Sequence, residues 1–196
     1  KNSPVSFHLN ADDTQLYISF SSSDSDFNLA ILSSTIDCVH AWLTANRLSV
    51  NPSKTEYLLV GTIQQRAKFI SSSLIFQGNV LSPSITVQNL GVTFDPDLSY
   101  HNHISKLCST SFYHIRHLRQ IRSSIDKNYA SILANALVSS RLDYCNSLFY
   151  GVPSTSIYRL QKIQNSIARG VVPSFRRSQH ITPTLRTLHC LPVEKR

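Results

Sequence analysis

Residues 7–17 read FHLNADDTQLY, a short polar centre between two β-prone runs. On one side lie residues 5–9 and on the other residues 16–20, both rich in apolar or aromatic side chains. Asn and Asp favour turns, whereas Ile, Tyr and Phe favour strands. The stretch therefore predicts a strand, a tight turn and a second strand, with the adjacent carboxylates Asp12 and Asp13 at the turn.

The rest of the first half predicts one helix and several short strands. Apolar residues recur three and four positions apart, which is typical of an amphipathic helix of about five turns. They are Leu29, Leu32, Ile36, Val39 and Leu43. Ser25 or Asp26 could cap this helix, and we assign Trp42 to the core. Residues 56–60, 74–76, 85–88 and 91–94 are strand candidates, and residues 71–73 are expected to form a loop.

From residue 101 the pattern changes to three helices. Apolar residues between 104 and 118 mark the first. Asp126 can cap the second, which runs to about residue 137, and Ser154 or Thr155 can cap the third, whose apolar residues lie between 157 and 167. Residues 172–196 contain three prolines and no clean period. A mixed first half followed by helices predicts an α+β fold.

The composition excludes several classes of protein. With 196 residues, the chain can bury one sizeable core or two small ones. No apolar run approaches the ~20 residues of a membrane span, and no secretory signal opens the chain. Four cysteines lie far apart, which argues against a zinc knuckle and suggests buried free thiols in an intracellular protein. Met is absent even from position 1, so we expect a fragment or a processed piece.

Charge divides the chain into an acidic half and a basic half. Residues 1–100 hold five Lys and Arg against eight Asp and Glu, whereas residues 101–196 hold fourteen against three. The second half therefore suits a polyanion, because Arg in particular matches phosphate geometry. A solubilising basic surface is the alternative.

Asp12 and Asp13 are the strongest chemical candidates. Two carboxylates on one turn are hard oxygen donors of the kind that divalent metal ions need, and paired ions can activate a hydroxyl and stabilise a leaving pyrophosphate. Two solvated turn residues are the structural alternative. Lys54 could neutralise charge or donate a proton near such a site, or it could be a solvated residue at the start of a strand.

The basic half carries the candidates for phosphate contact, three on each of two helices. They are Arg116, Arg119 and Arg122, and Arg159, Lys162 and Arg169. Such side chains would position a nucleic acid without reading its sequence. His101 and His103, like His114 and His117, have no acidic or thiol partner at a matching spacing. We therefore expect them to be solvated or near phosphate, and not to bind metal.

Several ordered blocks resemble the reverse transcriptase of LINE-type (non-LTR) retrotransposons, of the chicken-repeat and jockey-like sort. FHLNADDTQLY at 7–17 resembles motif C, and LSVNPSKTE at 48–56 resembles motif D. NLGVTFD at 89–95 is similar to the strand near the primer grip. SRLDYCNSL at 140–148 and LQKIQN at 160–165 resemble thumb helices, and HITP at 180–183 and LHCLPV at 188–193 resemble the block that follows.

The resemblance implies RNA-directed DNA polymerisation primed from a nicked target, with two Mg²⁺ ions in the palm. Asp12 and Asp13 would be metal ligands, and Lys54 would donate a proton. Residues 1–100 would form part of a palm, followed by a basic, helical thumb and tail at residues 101–196. The thumb would hold the duplex of RNA template and DNA primer. A deoxynucleotide would be the substrate, no membrane would be involved, and action in the nucleus is expected.

Three departures from the family pattern limit that expectation. The third palm carboxylate, on motif A, and the fingers precede motif C in the family, and only eleven residues precede Asp12. Asn10 stands where an aromatic residue is expected, and Cys190 where Trp is usual. We therefore expect the isolated chain to be inactive as a polymerase. The alternatives are a noncatalytic nucleic-acid-binding relic that uses the thumb helices, and a translated remnant without selected function.

Overall fold

The computed structural model describes residues 4–69, 73–171, 180–188 and 190–196. The chain divides into two compact units, the first comprising Lys1–Val87 with Asp95–Leu98 and the second Gln88–Phe94 with Ser99–Arg196. It is a mixed α+β protein with about 57% helix and short antiparallel strand pairs. The predicted α+β class is confirmed. Its assignment to a palm and a thumb stays a prediction.

The first unit opens with a β-hairpin and a long helix. Strand β1 (Ser6–Asn10) pairs antiparallel with β2 (Asp13–Tyr17), so β2 begins and ends three residues earlier than predicted. Helix α1 (Ser25–Ala45) confirms the amphipathic pattern. The cap prediction is wrong, because Asp24 is the N-cap residue and its side chain makes no capping hydrogen bond. A 3₁₀ turn, Ser22–Asp24, precedes the helix.

Short elements complete the first unit. They are a 3₁₀ turn (Pro52–Lys54), α2 (Ile63–Ala67), β3 (Leu74–Phe76) and β4 (Asn79–Leu81). Strand β3 was predicted, whereas α2 and β4 were not. The strand predicted at residues 56–60 is wrong, since these residues belong to no strand. Two residues of the loop predicted at 71–73 lie outside the described residues.

Local chemistry explains the two unpredicted elements. Thr62 and Gln65 form a reciprocal capping box that starts α2, a signal that was readable in the sequence. Gln77 and Gly78 both have positive φ, and they form the tight turn that pairs β3 with β4. Gln77 and Gly78 are therefore the two-residue loop of this hairpin, and Asn79 is already the first residue of β4.

The first unit has a sparse core. Among its described residues only Val5, Leu32, Leu74 and Phe76 are buried apolar side chains. Trp42 is 62% exposed, so its assignment to the core is wrong.

The expectation that all four free thiols are buried is corrected. Cys38 is exposed, and of the four only Cys108 is buried. Burial raises the pKa of the Cys108 thiol, an effect that the nearby Arg159 opposes.

The second unit begins with a strand pair. Strand β5 (Val87–Asn89), whose first residue belongs to the first unit, pairs with β6 (Val92–Phe94). Residues Leu90 and Gly91 between them both have positive φ, as a tight two-residue hairpin turn requires. The strand predicted at 85–88 is thus displaced by one to two residues, and the one predicted at 91–94 is confirmed.

Helices make up the rest of the second unit. They are α3 (His101–Ile121), α4 (Lys127–Ala134), α5 (Ser140–Asp143), α6 (Ser154–Val171) and α7 (Thr182–Thr187). Short 3₁₀ turns lie at Arg122–Ser124, Asn146–Phe149 and Val193–Lys195. A π turn, Asn135–Ser139, joins α4 to α5 with helical backbone on both sides, so the predicted second helix continues past residue 137. The short α7 was not predicted in the tail.

The three predicted helices are confirmed, but one of their caps is not. The Asp126 carboxylate accepts hydrogen bonds from the backbone N–H groups of Asn128 and Tyr129, at 2.6 and 3.0 Å, as an N-cap should. By contrast, α6 already includes Ser154, and the Pro153 carbonyl accepts hydrogen bonds from the backbone N–H groups of Ser156 and Ile157, at 2.8 and 3.3 Å. Neither Ser154 nor Thr155 is therefore the cap.

The core of the second unit lies between α3 and α6. Ile104 on α3 and Leu160 and Ile163 on α6 are at most 1% exposed, and Val92 of β6 and Phe149 join the same apolar cluster. This unit thus has the larger core, and it presents the basic helices on a packed framework.

Candidate functional site

The β1–β2 hairpin places Asp12 and Asp13 together at its tip. Asn10 pairs with Asp13, so Ala11 and Asp12 form the two-residue loop and Asp13 is the first residue of β2. Both carboxylate residues are exposed. Ala11 has φ +52°, a left-handed conformation that a residue with a Cβ adopts at a cost of roughly 1–2 kcal/mol. The turn is therefore strained beside two adjacent acids.

The two aspartates are the type of ligand that Mg²⁺ prefers, but two side chains alone are too few to hold the ion. Their oxygens are hard donors, whereas Mg²⁺ takes six ligands in an octahedron and usually keeps several waters. Within the described residues, no group of three or more His, Cys, Asp and Glu side chains could hold a metal ion. A Mg²⁺ site built on Asp12 and Asp13 would therefore need a further ligand from elsewhere.

Lys54 lies on a small, well-bonded turn of the first unit. The Asn51 side chain accepts hydrogen bonds from the Ser53 amide at 3.0 Å and the Ser53 hydroxyl at 2.6 Å, and the Asn51 carbonyl accepts from the Lys54 amide at 3.1 Å. Lys54 itself is exposed. No salt bridge joins it to Asp12 or Asp13. Its proton-donor role stays a prediction.

Two of the predicted cations lie on the seam between α3 and α6. The Arg159 guanidinium donates to the Ser105 hydroxyl at 3.0 Å, and the Arg119 guanidinium donates to the Ser166 carbonyl at 3.3 Å. Contacts advance along both helices in the same direction, so α3 and α6 run parallel. Arg119 is exposed and Arg159 is half-buried, which leaves positive charge along the seam.

Arg122 has a structural role. Its guanidinium donates to the Val171 carbonyl from Nε and Nη2, at 3.2 and 3.0 Å, and to the Ile125 carbonyl from Nη1 at 2.8 Å. Val171 is the last residue of α6, where unpaired carbonyls need donors. Arg122 lies just beyond α3, not on it as predicted, and this geometry assigns it to holding the end of α6.

The remaining three cations are exposed. Arg116 and Arg119 line an open groove of about 460 Å³ together with Phe112, Ile115 and Gln120. The Lys162 ammonium lies 4.6 Å from the centroid of the Tyr158 ring, a cation–π contact. Arg169 is exposed near the end of the same helix. Arg116 and Lys162 thus offer charge to solvent from neighbouring helices.

The histidines have unequal surroundings. His103 is buried, its Nδ1 accepts a hydrogen bond from the Thr93 amide at 3.2 Å, and its ring packs 5.9 Å from that of Phe149. Burial lowers the pKa of His103, and the Lys106 charge lowers it further. The expectation that this histidine is solvated or near phosphate is wrong. It holds β6 against α3.

Three residues that matter for the fold were not predicted from the sequence. The Tyr144 hydroxyl donates to the Leu90 carbonyl at 2.6 Å, and its ring lies 3.7 Å from where a Cβ on Gly91 would be, so it braces the β5–β6 turn. Gln164 is 1% exposed, and its amide donates to the Leu191 carbonyl at 2.6 Å, while the Gln161 side-chain oxygen accepts from the Val193 amide. Two glutamines at i and i+3 within an apolar helix face were the available signal.

Comparison with known proteins leaves the family open. No protein-family model, no curated protein and no solved structure matches this chain. Across the part of the chain that is described, no helix is both long and apolar enough to cross a membrane.

Proposed function

We propose that the chain is part of an RNA-directed DNA polymerase of the LINE type and is inactive alone. The observation that carries this proposal is the β1–β2 hairpin, whose two-residue loop brings Asp12 and Asp13 to one exposed tip. The resemblance of residues 7–17 to motif C requires such a hairpin.

Asp12 and Asp13 would hold Mg²⁺ together with a carboxylate from outside the described residues. When bound, the metal would supply charge stabilisation for the attacking hydroxyl and the leaving pyrophosphate. The two aspartates would orient it, and Lys54, exposed on its own turn, would supply positive charge or a proton to the leaving group.

The second unit would bind the template–primer duplex. Helices α3 and α6 contain six Lys and Arg residues and no Asp or Glu. Because Arg122 is engaged with backbone carbonyls, we assign the phosphate contacts to Arg116, Arg119, Arg159, Lys162 and Arg169. This charge would favour any polyanion, and the resemblance of the motif blocks implies that the polyanion is a duplex of RNA template and DNA primer.

The polymerase proposal is tested in the longest protein whose reading frame contains this chain. Asp12→Asn should abolish Mg²⁺-dependent extension of a DNA primer on an RNA template. Asp37→Asn changes an exposed aspartate of α1 in the same way and should leave extension intact. Equal extension by the wild type and Asp12→Asn would refute the catalytic assignment.

A noncatalytic nucleic-acid-binding role is the second candidate. It is favoured because the candidate metal site offers only two ligands, Asp12 and Asp13, among the described residues, whereas the basic helices pack on a core that lies within the second unit. It predicts that this chain binds an RNA–DNA duplex with an affinity that falls steeply with salt. Arg116→Ala should reduce the slope of log affinity against log salt by about 0.9, and Lys68→Ala, an exposed cation of the first unit, should leave it unchanged.

Affinity that is independent of salt would refute both roles for the basic helices. Duplex binding without primer extension in the longer protein would leave the noncatalytic role as the explanation.

A further inference from the structure

We propose that α3 and α6 form a surface for single-stranded nucleic acid, on which unpaired bases stack on Phe112 and Tyr113 while Arg116 and Lys162 contact phosphates. This inference deepens the proposed function and rests on it for the polyanion. It differs in the form of the ligand, a single strand with accessible bases in place of a closed duplex. We call this surface the α3–α6 face.

Charge on the α3–α6 face has one sign. The cations are Lys106, Arg116 and Arg119 on α3 and Arg159, Lys162 and Arg169 on α6, and neither helix contains a carboxylate. The two helices are joined side by side through Arg119 and Arg159, whose hydrogen bonds to α6 and α3 leave their charge in place. A strand of phosphates is the polymer that such a face attracts along its length.

Aromatic rings lie among these cations. Phe112 is 42% exposed and Tyr113 is 57% exposed, and they flank Arg116 on the outer surface of α3. Phe112 lines the groove that Arg116 and Arg119 also line. The rings are thus open to a ligand at the same place as the positive charge.

Neighbouring side chains orient the exposed rings. The Tyr113 ring lies 4.3 Å from the ring of His117 and 5.4 Å from that of His114. On α6, Tyr158 is 62% exposed under the Lys162 ammonium. A ring that is already held in place loses little freedom when a base stacks on it, and a cation one helical turn away can meet the adjoining phosphate.

The rings discriminate between a single strand and a duplex. Backbone phosphates are present in both forms, so Arg116 and Lys162 alone would not distinguish them. Bases within a duplex are stacked on one another and have no free face, whereas each unpaired base offers one. Base–aromatic stacking of about 1–3 kcal/mol per base corresponds to about 5- to 150-fold in affinity.

The test uses three fluorescein-labelled probes of equal length with the chain: oligouridine RNA, the same backbone without bases, and an RNA–DNA duplex. Anisotropy titrations at one salt concentration should give tighter binding of oligouridine than of the abasic strand. Phe112→Ala and Tyr113→Ala should each weaken oligouridine binding at least 5-fold and change duplex binding less than 2-fold. Tyr150→Ala, which removes a 97% exposed ring outside both helices, should change neither.

The outcomes separate this inference from the proposed function. Equal affinity for oligouridine and the abasic strand, or no loss in the two ring variants, overturns the stacking surface while duplex binding still supports the basic helices. Failure to bind any probe overturns both the stacking surface and the duplex-binding role of the basic helices, while the Asp12→Asn extension assay still tests the catalytic assignment. Circular dichroism of each variant is the folding control: where its helix content matches that of the wild type, a loss of binding is attributed to the ring.

Discussion

Replacing Arg122 with Ala tests whether this residue holds the fold together or binds phosphate. The change removes three charge-assisted hydrogen bonds to two carbonyl oxygens, those of Val171 and Ile125. A hydrogen bond to a charged group contributes about 1.5–3 kcal/mol net, and the positive guanidinium also interacts favourably with the negative C-terminal end of the α6 dipole. Because the site is only partly buried, water would replace part of this, and we expect a loss of about 2 kcal/mol.

Urea denaturation followed at 222 nm measures that loss. With a slope of about 2 kcal/mol per molar urea, the midpoint of the helical transition should fall by about 1 M. Arg122→Lys should recover only part of it, since an ammonium cannot bond both carbonyls with the geometry of a guanidinium. Arg116→Ala is the matched control, because it removes an exposed arginine of α3 and should change stability by less than about 0.5 kcal/mol.

The same variants give opposite results in nucleic-acid binding. Arg116→Ala should lower the salt slope of duplex binding by about 0.9, and Arg122→Ala should leave it unchanged under conditions where the protein is folded. The structural role of Arg122 is refuted if Arg122→Ala keeps its urea midpoint and lowers the salt slope as Arg116→Ala does.

Three further changes test other parts of the fold. Burial and the Lys106 charge lower the pKa of His103 in the folded state, so its contribution to stability is complete above the unfolded pKa of about 6.5 and is lost as the pH falls below it. The urea midpoint should therefore depend less on pH between pH 5 and 7.5 in His103→Gln than in the wild type. An unchanged pH dependence of the midpoint would contradict this. Ala11→Gly should stabilise the first unit by about 0.5–1 kcal/mol by relieving the positive φ, measured as a rise in its urea midpoint, and a destabilisation would show that Ala11 is unstrained. Ile163→Ala should destabilise the second unit by about 2–5 kcal/mol and Ile163→Val by about 0.5–1.5, and equal losses would argue against its burial.

The elements that were predicted correctly depend on neighbours in the sequence. The β1–β2 hairpin follows from a polar centre between β-prone runs, and α1, α3 and α6 follow from apolar residues at helical spacing. Asp126 was recognised as a cap because the bonds that it makes reach only two and three residues ahead. Short-range patterns of this kind are complete within the sequence itself.

The wrong predictions concern contacts with distant parts of the chain. Trp42 lies on α1, whose apolar pattern predicts a buried face. That pattern does not show whether another part of the chain packs over the Trp42 ring, and the ring is exposed. His103 stands in a basic stretch that predicts solvent, yet the Thr93 amide and the Phe149 ring bury it. The strand predicted at residues 56–60 has β-prone residues, and the Tyr57 carbonyl accepts a hydrogen bond from the Ser84 amide at 2.7 Å, but these residues belong to no strand of the part of the chain that is described.

The sequence by itself determined the hairpin that carries Asp12 and Asp13, the basic charge of the second half and the helices on which that charge lies. Only the tertiary structure decided which cations are available. Arg116 and Arg122 have the same charge and are separated by six residues, but Arg122 meets the carbonyl of Val171, which is 49 residues further along the chain. A helix end that needs donors captures one guanidinium and leaves the other in solvent, and no local pattern distinguishes the two.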